Sequence, residues 1–390
     1  MKLADRVAQL KPSATLSVSA KAQELRAAGR EIFSLSVGET DFPTPAYICK
    51  AAQDAIDAGF TRYTPVPGIP ELRLAAAGYF NRHYGIAAEA DHIIISNGGK
   101  HCLYNVCQAL LNPGDHVLIP APYWVSYPPM VELAAAKPVI ISTAPERNFK
   151  VSPTDLEKSL TPKTRLLLLN SPSNPTGSCY GKEELDAIAE WAVARGVTVI
   201  ADEIYDQLVY GDTPALSLCA WWQKHPENFV IVNGVAKTFA MTGWRVGYTL
   251  GHPDLIRAMS RLQGQSTSNI CSVSQKAAVA ALNGHMDTVE EMRVAFERRS
   301  ALAMEIVSAW PDVLCPRPRG AFYIFPDVHR HYGARFSDST SLCTLLLSEV
   351  GVALVPGAAF GDDRCIRISY AVSDDALIKA LHLVEKVLLG

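Results

Sequence analysis

The sequence predicts an α/β protein: a mainly parallel central sheet covered by helices on both faces, with a smaller α/β domain beside it. Two observations point there. Short aliphatic runs of strand length recur at 93–95, 116–119, 139–141, 165–169, 197–201 and 229–232, and segments of helical length and period accompany them near 100–111, 183–195 and 253–262. Strand, helix, strand repetition builds parallel sheets, because a crossover must return the chain to the starting edge. The second observation is length: 390 residues exceed the roughly 100 to 200 of one domain. In such sheets ligands bind at the carboxyl ends of the strands, so the residues just after each run carry most weight.

The ends of the chain depart from this pattern. Residues 1–45 hold little strand signal and include the turn-rich Gly38-Glu39-Thr40-Asp41-Phe42-Pro43. After about Met286 come a long helical stretch to Trp310, a Pro-rich break at 311–318, a strand at 321–325 and a closing helix near 374–388. The expected division is a large domain over 46–285 and a small, discontinuous one from 1–45 and 286–390.

Composition removes several function classes. Hydrophobic residues at 48% and charged residues at 19% exclude a disordered chain and a coiled coil. The net charge of −3, with no long run of either sign, gives no nucleic-acid or membrane-surface patch, so a small molecule is the expected partner. Nine cysteines without a CxxC pair point to reduced thiols in the cytoplasm rather than a disulfide frame or zinc ribbon. No secretory leader and no apolar stretch of about 18 residues is found, so neither secretion nor membrane spanning is expected. The motifs GxGxxG, Walker A, GxSxG and HExxH are absent, which removes the usual dinucleotide site, the serine elbow and the common zinc protease helix.

Four landmarks follow the expected strands in order: Gly98-Gly99-Lys100, Ser171-Pro172-Ser173-Asn174-Pro175-Thr176-Gly177, Asp202-Glu203-Ile204-Tyr205, and Lys237 with Arg245. Ser96 to Lys100 joins a strand to a helix whose free N–H groups suit an anion, with two glycines allowing close approach. Taken singly, a lysine is most often a surface charge, Asp202 a turn or cap carboxylate, and Asn-Pro-Thr-Gly a turn.

Together the landmarks resemble the class I aminotransferases of pyridoxal-phosphate (PLP) fold type I, over essentially the whole chain. The resemblance is closest to the bacterial aspartate and prephenate aminotransferase subgroup, through Lys11-Pro12-Ser13-Ala14-Thr15, Pro122-Tyr123-Trp124-Val125-Ser126-Tyr127-Pro128 and Ala240-Met241-Thr242-Gly243-Trp244-Arg245. It implies that Lys237 forms the Schiff base with PLP and, once freed, moves the substrate proton. Asp202 is implied to keep the pyridine nitrogen protonated, Asn174 and Tyr205 to bond the phenolic oxygen, and Trp124 to stack on the ring. Gly98, Gly99, Lys100 and Arg245 are implied around the phosphate, with Tyr63 donated from a neighbouring subunit, hence a homodimer with shared sites. Arg367 is implied to grip the substrate α-carboxylate as a fork, with a backbone contact from Gly38. Lys100, with Ser13 and Thr15 nearby, is implied to meet a distal carboxylate, and Trp124 and Asn174 also border the substrate. The chain departs from many relatives at Gly234 and Ala236, where hydroxyl residues often stand.

The implied reaction moves an amino group between an L-amino acid, aspartate by preference, and a 2-oxo acid, 2-oxoglutarate by preference, in two half-reactions. Aromatic amino acids or prephenate are alternative substrates. A β-eliminating PLP lyase and a non-catalytic PLP-binding regulator are the competing readings; no helix-turn-helix extension or basic arm supports the regulator.

Overall fold

The computed structural model describes residues 1–390 except 2, 9 and 11, so Lys11 of the 11–15 motif lies outside the described residues. The strands are β1 (Phe33–Ser34), β2 (Ile93–Ser96), β3 (His116–Ala121), β4 (Lys137–Ser142), β5 (Thr164–Asn170), β6 (Thr198–Asp202), β7 (Phe229–Gly234), β8 (Gly247–Leu250), β9 (Tyr323–Ile324), β10 (Val352–Ala353), β11 (Val355–Pro356) and β12 (Ile366–Ser369). Seven of them form the central sheet, in the order β2-β8-β7-β6-β5-β3-β4. Strands β3 to β7 are mutually parallel, whereas β8 runs antiparallel to both β7 and β2.

Both faces of this sheet are buried, which is why its strands read as unbroken aliphatic runs. Ile93, Leu167, Val199 and Ile231 pack into one core, and Ile94, Leu166, Ile200 and Val230 into another on the opposite face. Adjacent residues fall in different cores because successive side chains of a strand point to opposite faces.

Strand β8 has no counterpart among the sequence expectations, since four residues beginning at a glycine carry little aliphatic signal. Its glycine has a packing reason. A Cβ on Gly247 would overlap the backbone of Gly98 and Gly99, so β8 lies against the turn that starts the helix Gly99–Leu110. The expected helix ending at 262 runs on as Pro253–Ser266. Gln263, polar in sequence, is fully buried there, donating to the carbonyls of Val66 and Ile95 and accepting from Ser96.

The chain ends form separate sheets. β1 pairs in parallel with β10, and β11, β12 and β9 form an antiparallel sheet. Helices Asp287–Val307, Ser339–Glu349 and Asp374–Leu389 pack around a core that includes Phe296, Phe322, Leu342 and Leu381. The strand expected at 321–325 is shorter, because Ala321 adopts a left-handed φ of 57° and cannot continue a ladder. Among the described residues no helix is long and apolar enough to cross a membrane, and all nine cysteines are free thiols.

Candidate active site

The carboxyl ends of β5, β6 and β7 and the start of the helix after β2 converge on one cavity of about 380 Å³. Arg367 of β12 and residues 37–39 of the segment after β1 also line it. Twelve of the fourteen residues singled out from the sequence line it: Ser13, Thr15, Gly38, Gly99, Lys100, Trp124, Asn174, Asp202, Tyr205, Lys237, Arg245 and Arg367. Gly98 caps the helix alongside. Tyr63 stands apart from the cavity, 92% exposed.

Lys237 sits in the short helix Val235–Thr238, directly after β7. The turn is pinned from behind: Thr238 donates to Oδ1 of buried Asp206 at 3.3 Å, and Asp206 Oδ2 accepts from Tyr79 and Tyr84 at 2.7 Å each. The Lys237 ammonium donates to the Gly38 carbonyl. Burial pushes this amine down to about 8, opposed by the nearby Glu39 carboxylate, while Arg367 and Arg245 push it further down. A depressed amine is a nucleophile and proton acceptor near neutral pH.

Asp202 ends β6 and is buried. Desolvation raises its carboxyl to about 6; the Tyr127 hydroxyl, which donates to Oδ2 at 2.7 Å, and the Ile204 N–H, which donates to Oδ1 at 3.3 Å, oppose the rise. Such a carboxyl is an anion above about 6, and a cationic partner would favour that form further.

The opposite end of the cavity is cationic. Gly98, at φ 83°, turns the chain from β2 into the helix Gly99–Leu110, whose first amides, Gly99 and Lys100, face an end with no protein acceptor among the described residues. A Cβ at Gly98 would overlap the Arg245 guanidinium, so only glycine lets that arginine approach. Arg245 is held by the carbonyls of Thr242 and Asn97 at 2.9 and 3.2 Å. Lys100 extends over the Trp124 ring, its Nζ 4.9 Å from the centroid, and burial followed by Arg245 lowers its amine.

Gly234, one of the two departures noted in the sequence, has a steric cause. A Cβ there would meet the Val246 carbonyl at 2.9 Å and Gly247 Cα at 3.1 Å, and its own N–H is taken by Asn233 Oδ1. A hydroxyl side chain has no room at this position, whereas Ala236 does line the cavity.

Arg367 is 1% exposed and has no carboxylate in salt-bridge range among the described residues. Its Nη1 donates to Asn174 Oδ1 at 3.0 Å and its Nη2 to the Ser36 carbonyl at 2.5 Å, while Nε has no partner. The rings of Tyr323 and Phe360 flank it, 4.7 and 5.0 Å from Cζ. A buried guanidinium with a free N–H and no counter-ion is costly unless an anion joins it.

Sequence reasoning missed three contributors. Tyr323 places its hydroxyl 2.9 Å from that of Tyr205 and within 2.6 Å of where a Cβ on Gly38 would stand, so it holds Tyr205 and requires glycine opposite. Tyr127 lay inside a quoted motif without a role, and Ser36 acts through its backbone carbonyl, which no residue type signals.

Comparison with known proteins gives the family of the chain. The profile of the family "Aminotransferase class I and II" matches residues 30–384. The chain is 44% identical to an aspartate aminotransferase of Geobacillus stearothermophilus, covering 99% of this chain and 98% of the relative. It is also 44% identical to an aspartate/prephenate aminotransferase of Cereibacter sphaeroides, covering 100% and 99%. The structure of aspartate aminotransferase from Thermus thermophilus with maleate superposes with a TM-score of 0.94 at 41% identity, covering 99% of this chain and 100% of that one.

Proposed function

The chain belongs to the class I and II aminotransferases and is a transaminase, and from that premise we propose that it moves the amino group of aspartate to 2-oxoglutarate with pyridoxal phosphate as its cofactor. The observation that carries the substrate reading is Arg367, a buried guanidinium with an unpartnered Nε in a cavity shared with Lys237 and Asp202. An α-carboxylate is the anion it lacks. Lys100, Nζ over Trp124 on the same cavity wall, is a second cation for a distal carboxylate. The names of the relatives point to aspartate, and maleate, named with the Thermus thermophilus structure, is likewise a four-carbon dicarboxylate.

The donor set fits the cofactor. The unpaired Gly99 and Lys100 amides and Arg245 would hold its phosphate, with Gly98 giving room; Asp202 would meet the ring nitrogen, Asn174 and Tyr205 the phenolic oxygen, Trp124 the ring face, and Lys237 the aldehyde. When bound, the cofactor supplies an aldehyde that takes up amines and an electron sink that acidifies the substrate Cα–H.

The chain's own part in the reaction follows from its geometry. Arg367 orients the α-carboxylate and thereby aims the Cα–H at Lys237. The Lys237 amine, depressed to about 8, takes that proton on Nζ and returns it to a neighbouring carbon. Asp202, as an anion, would hold a proton at the ring nitrogen; any ion pair in contact at about 3 Å with an effective dielectric near 20 gains roughly 5 kcal/mol before desolvation. Tyr205, fixed by Tyr323 at 2.9 Å, presents an oriented hydroxyl. Ser13 and Thr15, which line the same cavity as Lys100, would border the distal carboxylate.

A large domain at 46–285 and a small domain from 1–45 and 286–390 suit this chemistry, since Lys237 and Arg367 then approach the substrate from different domains. The 92% exposure of Tyr63 supports a homodimer in which it reaches the partner's phosphate site. Nine free thiols support a cytoplasmic setting.

An amino-acid panel followed by absorbance, with and without 2-oxoglutarate, tests the reading. An aspartate transaminase converts its cofactor stoichiometrically with aspartate alone and turns over when the oxo acid is added. Faster turnover with prephenate as acceptor or an aromatic donor would shift the substrate assignment. Release of pyruvate and ammonia without acceptor would identify a lyase, and no reaction at all a regulator.

A further inference from the structure

We propose that Glu39 is the positioning residue that sets the protonation of Lys237, held in place by Thr242 across the mouth of the cavity. The inference rests on the reading of Lys237 as the reacting amine.

Among the described residues Glu39 and Asp202 are the only carboxylates on a cavity that also carries Lys100, Lys237, Arg245 and Arg367. Asp202 is committed at the buried end, where Tyr127 donates to it. Glu39 follows Gly38, whose carbonyl accepts from the Lys237 ammonium, and its side chain lines the same cavity as that amine. Its own carboxylate accepts from the Thr242 hydroxyl, and among the described residues it has no Lys or Arg in salt-bridge range. An exposed glutamate is ordinarily a solvated charge. This one is tethered at a site whose other lining charges are mostly cations.

Thr242 has a second contact. Its carbonyl accepts from Arg245 Nη1 at 2.9 Å, so one residue contacts both the Glu39 carboxylate and the guanidinium at the anion end. Thr44 reinforces the junction: its hydroxyl donates to the Ala240 carbonyl at 2.7 Å and accepts from Trp244 Nε1 at 3.0 Å. The 38–44 segment is therefore clasped to residues 240–245.

The chemistry needs such a group. Lys237 must hold the substrate proton as an ammonium, yet burial, Arg367 and Arg245 all favour the neutral amine. The groups facing it are Glu39 from the segment after β1, Asp202 and Tyr205 after β6, Arg245 before β8, and Arg367 on β12. Of these groups only the carboxylates, Glu39 and Asp202, favour the ammonium, and Glu39 is the one not already bonded by Tyr127. Without it the amine would remain a nucleophile but become a weaker base.

The test compares the parent chain with Glu39→Gln, which keeps an acceptor for Thr242 and removes the charge, and with Glu39→Asp and Thr242→Val. In the full-length chain freed of cofactor, the pH dependence of Lys237 acetylation by acetic anhydride is followed by peptide mass. In the holoenzyme, kcat/KM for aspartate is measured against pH. Opposite charges at about 4–6 Å shift a pKa by roughly one to three units, and solvent screening at the cavity mouth reduces that. The acetylation midpoint of Glu39→Gln should fall by about half a unit to one, with the acidic limb of the rate profile moving the same way. Glu39→Asp should recover part of the shift, and Thr242→Val should show a smaller displacement, because its carboxylate is present but untethered. A merely structural role would lower melting temperature and leave these midpoints in place. Borohydride reduction of the holoenzyme separates the two levels of the argument. If PLP is fixed on Lys237 in every variant but the Glu39→Gln midpoint equals the parent's, the Glu39 inference is overturned alone. If the parent itself is not fixed at Lys237, the assignment of the amine falls and the inference with it.

Discussion

Arg367 on β12 donates from Nη1 to Oδ1 of Asn174, 193 positions earlier in the chain, at 3.0 Å. This bond joins the small antiparallel sheet to the loop after β5, so the residue read as the carboxylate clamp is oriented by one read as a cofactor ligand. Arg367→Lys removes the fork and the Asn174 bond while keeping a charge. A hydrogen bond to a charged group is worth about 1.5–3 kcal/mol, so kcat/KM for aspartate should fall roughly ten- to a hundredfold, mostly through KM. Because no carboxylate balances the guanidinium, Arg367→Met should leave the melting temperature equal or higher. A large loss of stability would show that the arginine serves packing instead.

Lys237→Ala should fold, fail to retain PLP after borohydride reduction, and lose transamination by orders of magnitude, since nucleophile and proton carrier vanish together. The parent lysine should titrate near 8 rather than at its ordinary 10.5. The sign is set by burial, which disfavours the ammonium, so the neutral, reactive amine dominates above about 8. An acetylation profile with its midpoint near 10.5 would contradict the buried environment.

Asp202 links stability to pH in the cofactor-free chain. Burial raises its carboxyl from 3.8 to about 6, so between those values the folded chain binds a proton that the unfolded chain releases. Stability is therefore full below about 4 and declines as pH rises through 6. At about 1.4 kcal/mol per pKa unit, the decline is of the order of 3 kcal/mol. Asp202→Asn should be more stable than the parent at pH 7 and lose that advantage at pH 4, by denaturant midpoint. The same variant should bind PLP more weakly, and a cofactor analogue with a permanently positive ring nitrogen should recover part of the lost rate. Equal pH dependence in both chains would remove Asp202 as the titrating group.

Lys100→Ser tests substrate selection. If Lys100 meets the distal carboxylate, activity towards aspartate and glutamate should drop about ten- to a hundredfold, with alanine and phenylalanine within a few-fold. The competing role is neutralisation of the cofactor phosphate beside Arg245, which lowers its amine. Equal losses for all four amino acids at saturating PLP would favour that role.

Much of this arrangement is legible in the residues themselves. The runs at 93–95 and 229–232 announce β2 and β7 because strands buried on both faces need apolar side chains at every position. Gly98-Gly99 suggests the anion end because glycine permits close backbone approach, whereas Lys237 stands out only through the family resemblance, since a lone lysine is ordinarily a surface charge. What stayed hidden depends on partners remote in the chain. Strand β8 exists because Gly247 lies against Gly98, and Gln263 extends its helix because four distant polar groups receive it inside the protein.

The sequence by itself determined the parallel strands of the central sheet, the chemistry-bearing residue types and their positions after those strands, all consequences of local pattern. Only the tertiary structure decided how those residues are tuned: that Tyr127 bonds Asp202, that a backbone carbonyl at Ser36 faces Arg367, that Tyr323 holds Tyr205, and that Glu39 is tethered by Thr242 on the cavity of Lys237. Protonation and orientation depend on burial and on groups within a few ångströms, and proximity between positions 36 and 367 or 39 and 242 is a property of the packed chain, which periodicity along the sequence does not encode.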